Sequence, residues 1–209
     1  KRFEDNAGRV IQEIIAKAQN ENCLRCSTVL SEDDKTYLLI FLTALAFRDP
    51  QTIDSGIAFL QASNPEIDIR EARNFTLWNM LPLSNDAEWN NNTIIRSALS
   101  MFCGMAFQIG MADSDIVITS DRPVIIWRSY DTEPNSRPRA VAFPLTSNLV
   151  LFIYPIESVD PMSGNCFFRM SEQQIKDIQA NVAVYARRWI YSKDKLTDEQ
   201  LETVRKTRE

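Results

Sequence analysis

The sequence predicts an α+β protein: a helical N-terminal half packed on a small antiparallel β-meander and closed by a long amphipathic C-terminal helix. Three observations carry that prediction. Apolar residues recur at intervals of three and four as far as about Met111. From Ile116 to Tyr154 the period shortens to β-branched and aromatic runs divided by Asp, Asn, Ser and Pro. Helical spacing returns after Ser171.

Each element has its own signal. Val10, Ile11, Ile14, Ile15 and Ala18 define a first helix from about Phe3 to Asn20. Ser31-Glu32-Asp33-Asp34 opens a second, with a hydroxyl to cap free amides and acids at the positive helix end. That helix carries Tyr37, Leu38, Phe41, Leu42 and Leu45 on one face and stops near Arg48-Asp49-Pro50. Helices from about Gln51 to Gln61 and from about Ile67 to Met80 are parted by Ser63-Asn64-Pro65. Between Trp89 and Met111, apolar residues at 94, 95, 98, 99, 102, 105, 106 and 109 predict a central buried helix. Its Met101, Met105, Met111, Phe102 and Phe107 read as core material rather than a cofactor box.

Strands are expected at Ile116 to Thr119, Val124 to Trp127, Ala140 to Phe143 and Leu149 to Tyr154, with a weaker one at Asn165 to Met170. The polar stretch Arg128 to Arg139 holds two prolines and reads as an exposed hairpin loop. Ser171-Glu172-Gln173-Gln174 is a capping box opening a helix to about Tyr191, with Ile175, Ile178, Val182, Tyr185, Ala186 and Trp189 as its apolar stripe. Thr197-Asp198-Glu199-Gln200 repeats the start signal ahead of a charged tail, which reads as a short peripheral helix or a frayed end. With no repeat or linker in view, the expectation is one domain: residues 1–111 mainly helical, 115–170 antiparallel strands, 171–191 the closing helix and 192–209 a peripheral tail. The start, Lys1-Arg2-Phe3-Glu4-Asp5, has neither an initiator Met nor an apolar signal core and reads as the edge of a fragment.

Composition narrows the chemistry. A chain of 209 residues buries roughly 70% of its unfolded surface, so a substantial core is expected. A net charge of −5 disfavours nucleic acid as a partner, and no apolar run of membrane-spanning length occurs. Cys23 and Cys26 form one close pair, while Cys103 and Cys166 stand alone. A structural zinc draws on two such pairs, so reduced thiols in a soluble cytoplasmic protein are expected and no metal is assigned. The sequence holds no histidine. Imidazole bases, Ser-His-Asp and Cys-His systems and His-bearing metal motifs are closed to these residues. The sequence points to no particular cofactor.

The stretches SEDDKTYLLIFLTALAFRDP, DIVITSDRPVIIW, AVAFPLTSNLVLFIYP and QANVAVYARRWIYS occur in an order and spacing that resembles a mainly bacterial family, domain of unknown function 4238. The resemblance covers roughly Ser31 to Ser192, and Thr-Ser-Asp-Arg-Pro and Phe-Pro-Leu-Thr are its specific pieces. By position it marks Arg48 and Pro50, then Thr119, Ser120, Asp121 and Pro123, with Arg122 where Asn is more usual. It also marks Phe143, Pro144, Leu145 and Asn181. Family members usually begin with a His-Tyr segment that this sequence lacks. The resemblance implies no established activity.

Asp121 admits two readings. In one, Ser120 and Asp121 bond their own backbone in an Asx-type turn between strands, where Pro123 withholds an amide. In the other, Asp121 is a general base, a metal ligand or the partner of a fixed Arg48. Asp113 and Asp115 add carboxylates, but Asp113 and Asp121 flank a strand and are too far apart for one ion unless the chain folds back. Asn181 and Arg188 border the apolar stripe of the closing helix and, with Ser120 and Asp121, are candidate ligand-binding residues for a small polar or phosphate-bearing ligand. Asp121 and Arg48 are the catalytic candidates of a rival, histidine-free hydrolase or nucleotide-processing enzyme. A third reading is a module that binds a protein partner through residues 128–139 or the closing helices. Arg187-Arg188 with Trp189 and Tyr191 suits stacking plus phosphate binding, or a solvated helix edge beside core aromatics.

Overall fold

The computed structural model describes residues 2–20, 29–47, 50–80, 100, 104–127, 139–158 and 165–206. Among them are six α-helices, α1 (Arg2–Ala18), α2 (Glu32–Phe47), α3 (Pro50–Ser63), α4 (Ile69–Met80), α5 (Glu172–Tyr185) and α6 (Asp198–Lys206). The strands are β1 (Met105–Met111), β2 (Thr119–Ser120), β3 (Ile125–Trp127), β4 (Ala140–Pro144), β5 (Leu149–Pro155), β6 (Asn165–Arg169) and β7 (Ile190–Tyr191). The protein is α+β with a helical N-terminal half and a mixed sheet. Cys23, Cys26, Cys103, Arg48 and the loop at 128–138 lie outside the described residues.

The main sheet has the order β3-β4-β5-β1-β6, and β2 pairs with β7 in a separate two-stranded sheet. Neighbours are antiparallel except β1 and β6, which run parallel with Phe107 opposite Asn165 and Met111 opposite Arg169. The expected all-antiparallel arrangement is thereby corrected. Both edges of β5 are taken by β4 and β1, so β6 joins beyond β1, and the returning chain direction makes it parallel there.

Helices cover both faces of the sheet, and the strands show it in their residues. Leu149, Leu151 and Ile153 of β5 face one core cluster with Val10 and Ile14 of α1 and Leu38, Leu39 and Leu42 of α2. Val150 and Phe152 face the other, with Ile175, Ile178 and Val182 of α5. A strand buried on both sides needs no polar alternation, which is why LVLFIYP is continuously apolar.

The same physics corrects the predicted helix at Trp89 to Met111. Residues 81–99 and 101–103 lie outside the described residues, but Met105–Met111 is strand β1, not helix. Its residues alternate between the faces, with Met105, Phe107 and Ile109 buried against α1 and α2. All seven positions are at least half-buried, so an apolar residue at every helical interval is found by chance. Gly104, at φ +75°, adopts the left-handed conformation that ends helices and precedes the strand. Gly110 is needed for close approach, since a Cβ there would lie 2.6 Å from Phe152 Cε2 and 2.7 Å from Met170 Cγ.

The segment Ala112–Ile118 is not a strand either, although Ile116 to Thr119 was expected to be one; only Thr119 and Ser120 pair. Its polar groups are met from outside the ladder. The Ala112 amide donates to the Asn148 carbonyl at 2.8 Å and the Val117 amide to the Ser147 carbonyl at 2.7 Å. The Ile116 carbonyl accepts from Gln179 Nε2 at 2.9 Å and Gln200 Nε2 at 3.2 Å.

α5 begins as expected, with the Gln174 amide donating to Ser171 Oγ at 3.2 Å and the Ser171 amide to Gln174 Oε1 at 2.9 Å. It ends at Tyr185, six residues short of the predicted Tyr191, and Ala186 is extended. The tail does fold: Thr197 and Gln200 form a second capping box, at 3.2 and 2.9 Å, that opens α6. A Lys176–Glu199 ion pair at 3.1 Å joins α5 to α6.

Candidate functional site

The Thr119-to-Pro123 turn carries the chain from β2, in the small sheet, to β3, at an edge of the large one. It therefore joins two sheets rather than two strands of one hairpin. Ser120 is 5% exposed. Its hydroxyl accepts from the Arg122 amide at 3.2 Å and donates to the Arg122 carbonyl at 3.0 Å, closing the turn locally. Pro123 brings no amide to a point where the ladder is interrupted, and Val124 and Ile125 then enter the core.

Asp121 reaches across to the chain that leaves α5. Its Oδ1 accepts from the Arg187 amide and its Oδ2 from the Arg188 amide, both at 3.0 Å. Its own amide donates to the Trp189 carbonyl at 3.2 Å, extending the β2–β7 ladder in which Thr119 opposes Tyr191 and Ser120 opposes Ile190. Partial burial works against the carboxylate, but the amides of Arg187, Arg188 and Trp189 outweigh it and hold the group below its ordinary 3.8. Successive amides converging on one anion form a nest.

The nest explains where α5 ends. The last helical bond runs from the Ala186 amide to the Val182 carbonyl at 2.9 Å. The next two amides, which would continue the ladder, go to Asp121 instead. Trp189, expected on the buried stripe, is consequently off the helix and 63% exposed, and Tyr191 is 52% exposed. The expectation of core aromatics beside Arg187 and Arg188 is corrected on that ground.

Of the other candidates, Arg188 joins Asp121 through its backbone amide, while its side chain is exposed. Asn181 is half-buried and donates through Nδ2 to the Asp177 carbonyl at 2.7 Å, within its own helix. Arg48 lies outside the described residues. Asp113 pairs with Arg169 at 2.7 Å. Asp115 takes an ion pair from Lys193 and a bond from Ser147 Oγ, and these hold its carboxyl below its ordinary value. The three carboxylates thus serve separate sets of partners.

Two residues matter that were not among the site candidates. Gln179 is buried among the apolar residues of α5, and a polar side chain on that stripe was the signal for a carbonyl to be satisfied. Tyr185 Oη donates to the Ile126 carbonyl at 2.6 Å, tying the last turn of α5 to edge strand β3.

A mixed sheet covered by helices, with a carboxylate nest joining its edge region to the chain that leaves α5, defines the class as an α+β protein with an Asp-centred turn. The chain belongs to the family of proteins of unknown function DUF4238, whose model matches residues 1–196 and so takes in α1 as well as the motif-bearing stretches. No curated protein and no solved structure matches the chain. Among the described residues no helix is long and apolar enough to cross a membrane.

Proposed function

We propose that the Thr119-to-Pro123 turn is a latch and that this protein, a soluble cytoplasmic one, works by binding at the segment the latch fixes, Arg187 to Tyr191. The observation that supports this reading is the engagement of both Asp121 oxygens by the Arg187 and Arg188 amides, with the adjoining Trp189 and Tyr191 side chains left exposed. A carboxylate whose charged form is favoured by backbone donors is a weak proton acceptor, so its chemistry suits positioning better than general-base catalysis. In this reading Ser120 and Asp121 are positioning residues and Arg188 is the ligand-contacting one. Asn181, whose amide is engaged on its own helix, has no direct part.

The test is Asp121→Ala beside Asp121→Asn, followed by hydrogen exchange and thermal melting. Hydrogen bonds to a charged group contribute about 1.5–3 kcal/mol when sheltered; because Asp121 is largely exposed, solvent screening brings the expected loss for Asp121→Ala to about 1–2 kcal/mol. Exchange at residues 187–191 should rise before exchange in the main sheet. Unchanged protection there, together with loss of a hydrolytic activity that the wild-type protein has, would sink the latch and favour the catalytic reading of Asp121.

A further inference from the structure

Strand β7 sorts its side chains by pleat. Ile190 packs against the core cluster that contains Ile118 and Val182, and alternation along an extended chain sends its neighbours to the opposite side. Those neighbours are Trp189 and Tyr191, both more than half exposed. Neither ring stacks on another aromatic ring among the described residues. Residues two apart on a strand are separated by about 6.6 Å. A flat ring held between two others needs about 3.5 Å of contact distance on each face, so the spacing of the two side chains suits one intervening planar group.

The sequence beside this pair is mainly basic. Arg188 lies in the bend before β7, where its backbone amide is held by Asp121 and its side chain is exposed. Its guanidinium has no ion-pair partner among the described residues. Between residues 187 and 195 stand four basic residues and one acidic residue, in a chain whose formal charge is −5. Lys193 is paired with Asp115 and the Asp121 carboxylate lies on the Arg187 and Arg188 amides, so among the described residues the Arg188 guanidinium is a cation left for a ligand. A ligand matched to this surface is flat at one end and anionic at the other.

We propose that Trp189, Tyr191 and Arg188 bind a nucleoside phosphate, with the base stacked on the two rings and the phosphate at the Arg188 guanidinium. Aromatic stacking accepts any base, and a guanidinium meets phosphate oxygens in bidentate fashion. A free nucleotide fits better than a nucleic-acid strand. The acidic remainder of the protein repels a long polyanion, whereas a small ligand within about one Debye length, roughly 8 Å at physiological salt, meets the Arg188 guanidinium. The proposal rests on the latch for the rigidity of its platform.

Calorimetric titration of the full chain with ATP, AMP, adenosine, inorganic phosphate and an oligodeoxyadenylate tests it. AMP and ATP should bind the wild-type protein, and Trp189→Ala should weaken both by about tenfold or more. Arg188→Ala, which keeps the backbone amide that Asp121 needs, should weaken the phosphate-bearing ligands and leave adenosine unchanged. Equal affinities of wild type and Trp189→Ala, AMP no tighter than adenosine, or no binding at millimolar nucleotide would each overturn the proposal. Tighter binding of the oligonucleotide than of AMP would replace the free nucleotide by a strand. Circular dichroism of both variants checks that exposed-site substitutions leave the fold intact. Hydrogen exchange on Asp121→Asn without nucleotide reads the latch separately, so failure of one reading leaves the other standing or falling by its own measurement.

Discussion

At Gly110 a single hydrogen atom decides how closely β1, β5 and the chain after β6 can pack. Phe152 Cε2 and Met170 Cγ stand where a methyl group would go, and Phe152 is itself hemmed in by Tyr154 and Phe168 at ring-centroid distances of 5.6 Å. Gly110→Ala should therefore destabilise by about 1–3 kcal/mol, as overpacking does in a filled core, and chemical denaturation would measure it. A neutral or stabilising result would mean that Met170 yields without cost. Asp121 illustrates what sequence can and cannot say of one residue. Its Asx-prone setting between apolar runs marked it as special. Its partners, backbone amides more than sixty residues along the chain, carry no side-chain identity and left no trace in the residue types at 187 and 188.

Elements were legible where they announced their own ends. The Ser171 and Thr197 boxes placed the starts of α5 and α6, because a hydroxyl and an amide three residues apart satisfy free backbone donors locally. The end of α5 was illegible for the opposite reason. No proline or glycine in Ala186 to Tyr191 breaks a helix; the Asp121 carboxylate competing for the Arg187 and Arg188 amides, and the pairing of Ile190 and Tyr191 with β2, end it. β1 reads as helix because apolar residues on both of its faces, Met105, Ala106 and Ile109 among them, satisfy a helical period too. The union of α5 with β3 gives a further expectation. Tyr185 Oη serves a carbonyl of an edge strand, so Tyr185→Phe should cost about 1 kcal/mol and speed exchange in β3 relative to β5. Equal rates in the two strands would show that the bond does not secure the edge.

Across the whole molecule, carboxylates sit at the joints between elements. Asp34 connects α2 to α1, accepting from the Ser31 hydroxyl at 2.7 Å and pairing with Arg9 at 3.1 Å. Asp115 connects the irregular segment after β1 to Ser147 in the β4–β5 turn and to Lys193 after β7. Asp121 connects β2 to the chain leaving α5. Burial raises Asp34 and Asp121, yet the hydrogen bonds prevail and both lie below their ordinary 3.8; at Asp115 the Lys193 and Ser147 bonds lower the carboxyl against a smaller burial effect. A folded-state value below the unfolded one means that the stabilisation is complete above the unfolded pKa and is lost as pH falls through the folded value. The melting temperature should hence be insensitive to these groups between about pH 7 and 5 and fall as the medium drops below about pH 4. Asp121→Asn should melt lower at neutral pH and lose less on acidification than the wild type, because one titrating joint has been removed. Parallel acid profiles for the two proteins would show that Asp121 bears no proton-linked part of the stability, and would leave Asp34 and Asp115 to account for the decline.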